Sequence, residues 1–213
     1  RRSGKLLSHF KITNSLFAYH KFNEKKVINT VLDFIKKNKI VSLISDAGTP
    51  AISDPGMILV NKCIEENLKV CPIPGPSAVT AAVSVSGFAS PYLFYGFLTK
   101  KENELEKVLK SLNSLDYSIV FFIPVLKFNF YLTKFKNFFF NRKIFIAREM
   151  TKLHEDFLRK DVISIKNLPK NLKGELTVVI SEKNKEKNIP SIINESVKIE
   201  INKMLKKYSH KDV

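Results

Sequence analysis

The residues best equipped for chemistry lie between Ser45 and Gly56, in the string "SDAGTPAISDPG", directly behind the apolar run "IVSLI". Two aspartates, two glycines and two prolines share these twelve positions. Gly48 and Gly56 permit positive φ and a close approach of backbone to ligand, while Pro50 and Pro55 stiffen the path. Backbone groups held in this way bind a ligand at little entropic cost. The string matches neither GxxxxGKS/T nor GxGxxG, so a nucleoside triphosphate or dinucleotide site is not expected. Asp46 and Asp54 would also repel phosphate. A neutral or cationic ligand suits this loop.

Such a loop needs a scaffold. Helical periodicity in "EKKVINTVLDFIKKN" (Val27, Val31, Leu32, Ile35) precedes the strand-like "KIVSLIS". After the loop come an amphipathic helix over 57–67, a short strand "KVCPI", and "PGPSAVTAAVSVSGF", in which Pro76 sits near a helix start and small residues favour close packing. Strands alternating with helices of this length predict a parallel α/β sheet with the loop at a strand's carboxyl end, where such folds bind ligands. Further on, "YLFYGFL", "YSIVFFI", "KIFIARE" and "GELTVVIS" read as strands, "ENELEKVLKSLNSL" as a helix, and a Phe-rich helix runs over about 128–139. The organisation expected is two α/β domains: 1–90, binding the ligand; 91–183; and then 184–213, a charged linker with a final helix over about 192–207. Arg1 is not Met, the chain opens inside an amphipathic pattern (Leu6, Leu7, Phe10), and its last residues stop where a further helix would begin at Ser209, so the chain reads as a fragment.

The 213 residues are 44% hydrophobic and 26% charged, a globular composition. No uncharged run approaches the ~20 residues that span a bilayer, and the N-terminus lacks a signal-peptide core. Cys63 and Cys71 form no CxxC motif and read as free thiols in a reducing cytoplasm. The net charge of +16 favours a polyanionic partner. Only five of the 36 basic residues are arginine, however, and the abundance of Lys, Asn, Ile and Phe is also the signature of AT-rich codons. No His, Cys and carboxylate cluster indicates a metal, and "HEDFL" at His154 is not HExxH. His9, His20 and His210 read as surface or core residues, and Phe138, Phe139 and Phe140 as packing residues before base-stacking ones.

The whole string from Ser45 to Gly56 closely resembles the signature loop of the tetrapyrrole-methylase superfamily, and specifically of the bacterial ribosomal RNA small-subunit methyltransferase I family. "PIPGPSAVTAAVSVSGF" (Pro72 to Phe88), "FYGFL" (Phe94 to Leu98), "AREMTKLHED" (Ala147 to Asp156) and "KGELTVVI" (Lys173 to Ile180) resemble further family segments in the same order. Three departures stand out. The family's first strand, with its Gly-rich loop, and the Glu-Asp-Thr before Arg1 are absent, so part of the expected cleft wall is missing. The family's GFLP ends here in Thr99, and its ESPHR-like segment falls at Ile123 to Lys127 as "IPVLK", keeping only a positive charge.

The resemblance implies an S-adenosylmethionine-dependent enzyme that methylates the ribose 2′-oxygen of a cytidine in 16S ribosomal RNA, with the cofactor in a cleft between two α/β domains, working as a homodimer in the cytoplasm. A sulfonium is cationic, in keeping with an acidic loop. The cofactor-binding candidates are Asp46, Ala47, Gly48, Ile52, Asp54, Pro74, Gly75, Ser77 and Ala78, joined by Phe97, Gly174 and Glu175 from the second half. Arg148, Glu149 and Glu155 are the catalytic candidates, with Lys152 beside them as an RNA contact; a local Arg148–Glu149 ion pair is the competing structural use. A tetrapyrrole C-methyltransferase, which would need a roomy cleft for a polyanionic macrocycle, and a non-catalytic RNA-binding remnant are the alternatives.

Overall fold

A computed structural model describes residues 2–37 and 39–184. Four helices come first: α1 (Arg2–His9), α2 (Glu24–Lys36), α3 (Met57–Glu65) and α4 (Ala78–Ser86). Then follow β1 (Tyr92–Phe97), α5 (Glu102–Ser114), β2 (Ser118–Pro124), α6 (Val125–Phe138), β3 (Lys143–Arg148), β4 (Asp156–Asp161) and β5 (Glu175–Ile180), with one 3-10 turn at Val162–Ser164. The expected final helix over about 192–207 lies outside the described residues.

The five strands form one mixed sheet in the order β1-β2-β5-β3-β4. Alternation sends successive side chains to opposite faces. Ile119, Phe121 and Ile123 of β2, with Val178 and Ile180 of β5, face α5 and α6, where Leu105, Leu109, Phe128 and Phe135 meet them. Val120, Phe145 and Val179 point the other way, onto Val79 and Ala82 of α4. Because both faces are covered, β2 and β5 read as nearly unbroken apolar runs. Phe139 is buried in the α6 layer and Phe138 packs against it, as a packing role predicts, whereas Phe140 is exposed.

Two expectations are corrected. Only β1 and β2 run parallel; β5 inserts antiparallel between β2 and β3, and β4 is antiparallel to β3. The strands expected at "KIVSLIS" and "KVCPI" do not form, and among the described residues no strand precedes Tyr92. A strand exists only where a neighbour takes its N–H and C=O groups. Neither segment is paired, and Ile40, Val41, Ile44, Val70 and Ile73 remain exposed. What holds the N-terminal region is a smaller cluster between α2 and α3, built from Ile28, Val31, Leu32, Leu59 and Cys63.

Candidate functional site

One edge of the sheet gathers the candidates. β1, β2 and β3 end there and β5 begins there, as the pairing of Arg148 with Leu176 and of Pro124 with Glu175 requires. At this edge β1 carries a bulge between Phe94 and Gly96. The acidic loop docks on it: a Cβ built on Gly96 would sit 3.0 Å from the Ser53 hydroxyl, so the strand must present bare backbone to the loop. A glycine inside a strand is a sequence signal for such an approach, and the one in "FYGFL" marks this contact.

Within the loop the Ser45 hydroxyl faces the carbonyl oxygens of Ala47 and Gly48 at 3.1 and 3.2 Å. The Thr49 hydroxyl donates to the Pro76 carbonyl at 3.3 Å and ties the loop to "PGPSA". Ser77 ends that segment as the N-cap of α4, its hydroxyl oxygen accepting from the Thr80 N–H. The structure thus brings Asp46, Ala47, Gly48, Ile52 and Asp54 beside Pro74, Gly75, Ser77 and Ala78, all exposed except the half-buried Ser77. Ala51 and Ser53 adopt left-handed φ of 66° and 60°. Such backbone costs about 1–3 kcal/mol per residue, and strain of this kind clusters at ligand sites. Neither an alanine nor a serine announces it.

From the other half come Phe97, half-exposed and packed on Phe122, and the pair Gly174–Glu175. Asp54 lies close enough to Asp46 and Glu175 to feel both. Burial first, and then these two carboxylates, push its carboxyl above the usual range. A nearby cation favours the charged form of a carboxyl raised in this way, and one protein cation, Lys152 Nζ, already lies 3.6 Å from Glu175 Oε2. At Gly48, with φ of 68°, an added Cβ would meet nothing within 4 Å, so open space lies in front of the backbone for a ligand to fill.

The catalytic candidates behave differently. Glu149 does not pair with Arg148. Its Oε1 accepts from Lys152 Nζ at 2.9 Å and from the Glu175 N–H at 3.0 Å, and these bonds hold its carboxyl below the usual range. Gly174 makes room for it, since a Cβ there, at φ of 119°, would lie 2.7 Å from the Glu149 side chain. Glu155 accepts from the Thr151 N–H at 2.7 Å and closes the turn, in which Glu149 and Thr151 are again left-handed. Glu149 and Glu155 therefore shape the loop that faces the acidic one. Arg148 is half-buried at the end of β3. His9, His20 and His154 are exposed, and His210 lies outside the described residues. Among the described residues no group of His, Cys and carboxylates could hold a metal, and no helix is long and apolar enough to cross a membrane.

Comparison with known proteins gives this edge a family. Residues 6–165 match the model of the Tetrapyrrole (Corrin/Porphyrin) Methylases. The ribosomal RNA small subunit methyltransferase I of Thermotoga maritima is 43% identical over 187 residues, covering 86% of this chain and 83% of that protein. The protein of the same name from Synechocystis is 36% identical over 211 residues, covering 97% and 75%. Among solved structures, the uroporphyrin-III C-methyltransferase of Thermus thermophilus, complexed with S-adenosylhomocysteine, superposes with a TM-score of 0.52 at 11% identity, over 78% of this chain and 76% of that one; it shares the fold. The chain belongs to the ribosomal RNA small subunit methyltransferase I family of the tetrapyrrole methylases.

Proposed function

We propose that this chain carries out 2′-O-methylation of a cytidine ribose in 16S ribosomal RNA, with S-adenosylmethionine as methyl donor, acting on the RNA or the small subunit. The observation that supports this reading is the docking of the acidic loop on Gly96, with Asp54 near Asp46 and Glu175. The cofactor is S-adenosylmethionine, which supplies an electrophilic methyl group on a positively charged sulfur. Residues 1–90 and 91–183 form the two walls of its cleft. Asp46, Asp54 and Glu175 favour its charge, the backbone at Ala47, Gly48, Pro74 and Gly75 takes its polar groups, and Ile52, Ala78 and Phe97 cover its apolar surface.

Methyl transfer to a hydroxyl forms a C–O bond as the C–S bond breaks, and the hydroxyl proton must leave. Alignment supplies most of the acceleration in such reactions. Glu149 and Glu155 serve alignment by fixing the loop between β3 and β4, and Arg148 at the end of β3 and Lys152 in mid-loop serve phosphate or ribose. Loss of Glu149 should therefore cost turnover through loop position, with its conservative variant Glu149→Gln retaining the bond to the Glu175 N–H. The protein works as a homodimer, which sedimentation would register as twice the chain mass.

The decisive experiment incubates the intact protein with labelled S-adenosylmethionine and small-subunit RNA or assembled subunits. Label should enter RNA, stay after base removal, and make the adjacent phosphodiester resistant to alkali, because alkaline cleavage needs a free 2′-hydroxyl. DNA of the same sequence should take no label. Label on a base, or an alkali-sensitive linkage at the modified position, would refute ribose methylation.

A further inference from the structure

α4 carries the "PGPSA" end of the candidate site, yet little in its own sequence fixes its place. "AVTAAVSVS" is nine residues without a charge, rich in valine and serine. Isolated helices shorter than ~12–15 residues are marginal in water, so α4 depends on what packs against it. Val79 and Ala82 give it an apolar face against Val120, Phe145 and Val179 of the sheet. Apolar contact is non-directional, so it holds the helix on the sheet without fixing it along its own axis.

Directional bonds hold its two ends. At the start, Ser77 caps the helix and the Pro76 carbonyl accepts from the Thr49 hydroxyl. At the finish, the last carbonyl groups of any helix lack partners within it. Ser86 satisfies one, its hydroxyl donating to the Val83 carbonyl at 2.9 Å. The next two are taken from outside: Arg159 donates from Nη2 to the Val85 carbonyl, and from Nε to the Ser86 carbonyl at 3.2 Å. Arg159 stands opposite Phe145 in the β3–β4 register, and its guanidinium lies 4.4 Å from the centre of that ring. A cation also complements the negative end of a helix, and α4 has no basic residue in its last turn. The arginine thus joins stacking on the sheet to a fork of donors on the helix, a combination that lysine lacks.

β1 and β4 are the two outermost strands, so α4 is held from opposite flanks of the sheet. Its start is tied to the loop that docks on Gly96 of β1, and its finish is clasped by β4. We infer that Arg159 is a positioning residue for the cofactor. By fixing the end of α4 it sets where the other end presents Gly75, Ser77 and Ala78 and, through Pro76 and Thr49, where the acidic loop stands. This rests on the reading that those residues hold S-adenosylmethionine. A nine-residue helix is about 13 Å long and carries a displacement at Val85 and Ser86 through to Ser77.

The test compares the intact wild type with Arg159→Ala, Arg159→Lys, Thr49→Val, the Arg159→Ala/Thr49→Val double variant and Leu109→Val. S-adenosylhomocysteine binding is measured by calorimetry at a temperature where urea titration shows each protein folded, and amide hydrogen exchange is followed along α4. Arg159→Ala should bind S-adenosylhomocysteine about ten-fold more weakly, with faster exchange in α4. Arg159→Lys, which keeps the charge and some donors, should recover part of the loss and keeps the test readable should the alanine variant not fold. Leu109, buried on the other face of the sheet, controls for lost stability: Leu109→Val should lower the urea midpoint and leave S-adenosylhomocysteine affinity unchanged. Because Thr49 and Arg159 act through one helix, the cost of Thr49→Val should shrink in the Arg159→Ala background. An Arg159→Ala protein that loses stability yet binds like the wild type would overturn the inference and leave the arginine a structural role only. Strictly additive costs with Thr49→Val would overturn the route through α4, as would weakened binding with unaltered exchange in that helix. Normal binding by Gly48→Val would overturn the cofactor's placement and this inference together, whereas normal binding by Arg159→Ala alone overturns only the inference. A wild type that binds S-adenosylhomocysteine but methylates no RNA sinks the proposed function and leaves the Arg159 comparison readable.

Discussion

The two halves of this chain solve the same problem unequally. From Tyr92 to Ile180, every central strand has a neighbour on each side and a helix layer on each face, and Phe121, Phe135 and Val178 are wholly buried. Before Tyr92, the segments that most resemble strands are unpaired, and Ile40 and Ile73 are 97% and 85% exposed. Yet the residues best suited to binding a cofactor lie in that less consolidated half. They are positioned by contacts with its neighbour: Ser53 on Gly96, and Asp54 near Glu175. The site's geometry is thus borrowed from the sheet, whereas its chemistry comes from the loop.

The comparison can be broken most directly in the core. Phe121→Ala should remove about 3–5 kcal/mol of stability and lower the denaturant midpoint of the whole sheet. Leu59→Ala, in the α2–α3 cluster, should perturb the N-terminal region while the near-ultraviolet signal of the sheet's aromatic residues persists. A common loss of both signals in the second variant would show that the halves unfold as one.

Gly48→Val separates binding from folding. The new Cβ has no protein atom within 4 Å, so the side chain should project into the ligand's space and abolish S-adenosylhomocysteine binding by calorimetry. Its cost to stability should stay near the ~1–2 kcal/mol of a left-handed non-glycine residue. Unchanged affinity would remove the loop from the site. Gly174→Ala tests the seam instead. Collision with Glu149, together with φ of 119°, should cost about 1–3 kcal/mol in a urea titration and should weaken cofactor binding less than Gly48→Val does.

The smallest effect is that of pH. Burial, Asp46 and Glu175 raise the folded pKa of Asp54, so its contribution to stability is present in acid and is lost as pH rises through that value. A cationic ligand prefers the ionised form, so cofactor affinity should climb as pH rises through that same raised value. Asp46→Asn should move the midpoint down. Glu149 runs the other way: its depressed pKa gives stability above the ordinary carboxylate value, lost as pH falls through the folded one. Affinity that is flat across the acid range would detach Asp54 from the cofactor.

Legibility followed physical coupling. Elements whose apolar period reflects a covered face, such as α5 with Leu105 and Leu109, or β2, were readable from sequence to within a residue or two. β4 was not, because "DFLRKD" carries Asp156, Arg159, Lys160 and Asp161; it is an edge strand, where charge guards an open flank. The strands expected at 39–45 and 69–73 had the right residues without a paired neighbour. At the site, composition pointed to the acidic loop, and the family resemblance to Gly174–Glu175. That Glu149 would turn to Lys152 and the Glu175 N–H rather than to Arg148 depends on two left-handed residues, Glu149 and Thr151, that carry no glycine to announce them.

Arg142 works at the far edge of the same sheet. Its guanidinium is 1% exposed, donates to the carbonyl oxygens of Asn113, Leu115, Tyr117 and Ser181, and lies over the Phe139 ring. One side chain thereby rivets the end of α5, the entrance to β2 and the exit of β5. A lysine could not span that fork of acceptors. With one rim fastened, loop positions on the opposite rim that lie away from Gly96 and Gly174 can change residue type at little risk to the scaffold. For a protein engineer, that makes the Arg142 rim the part to leave alone and the Gly96–Gly174 rim the place to graft new specificity.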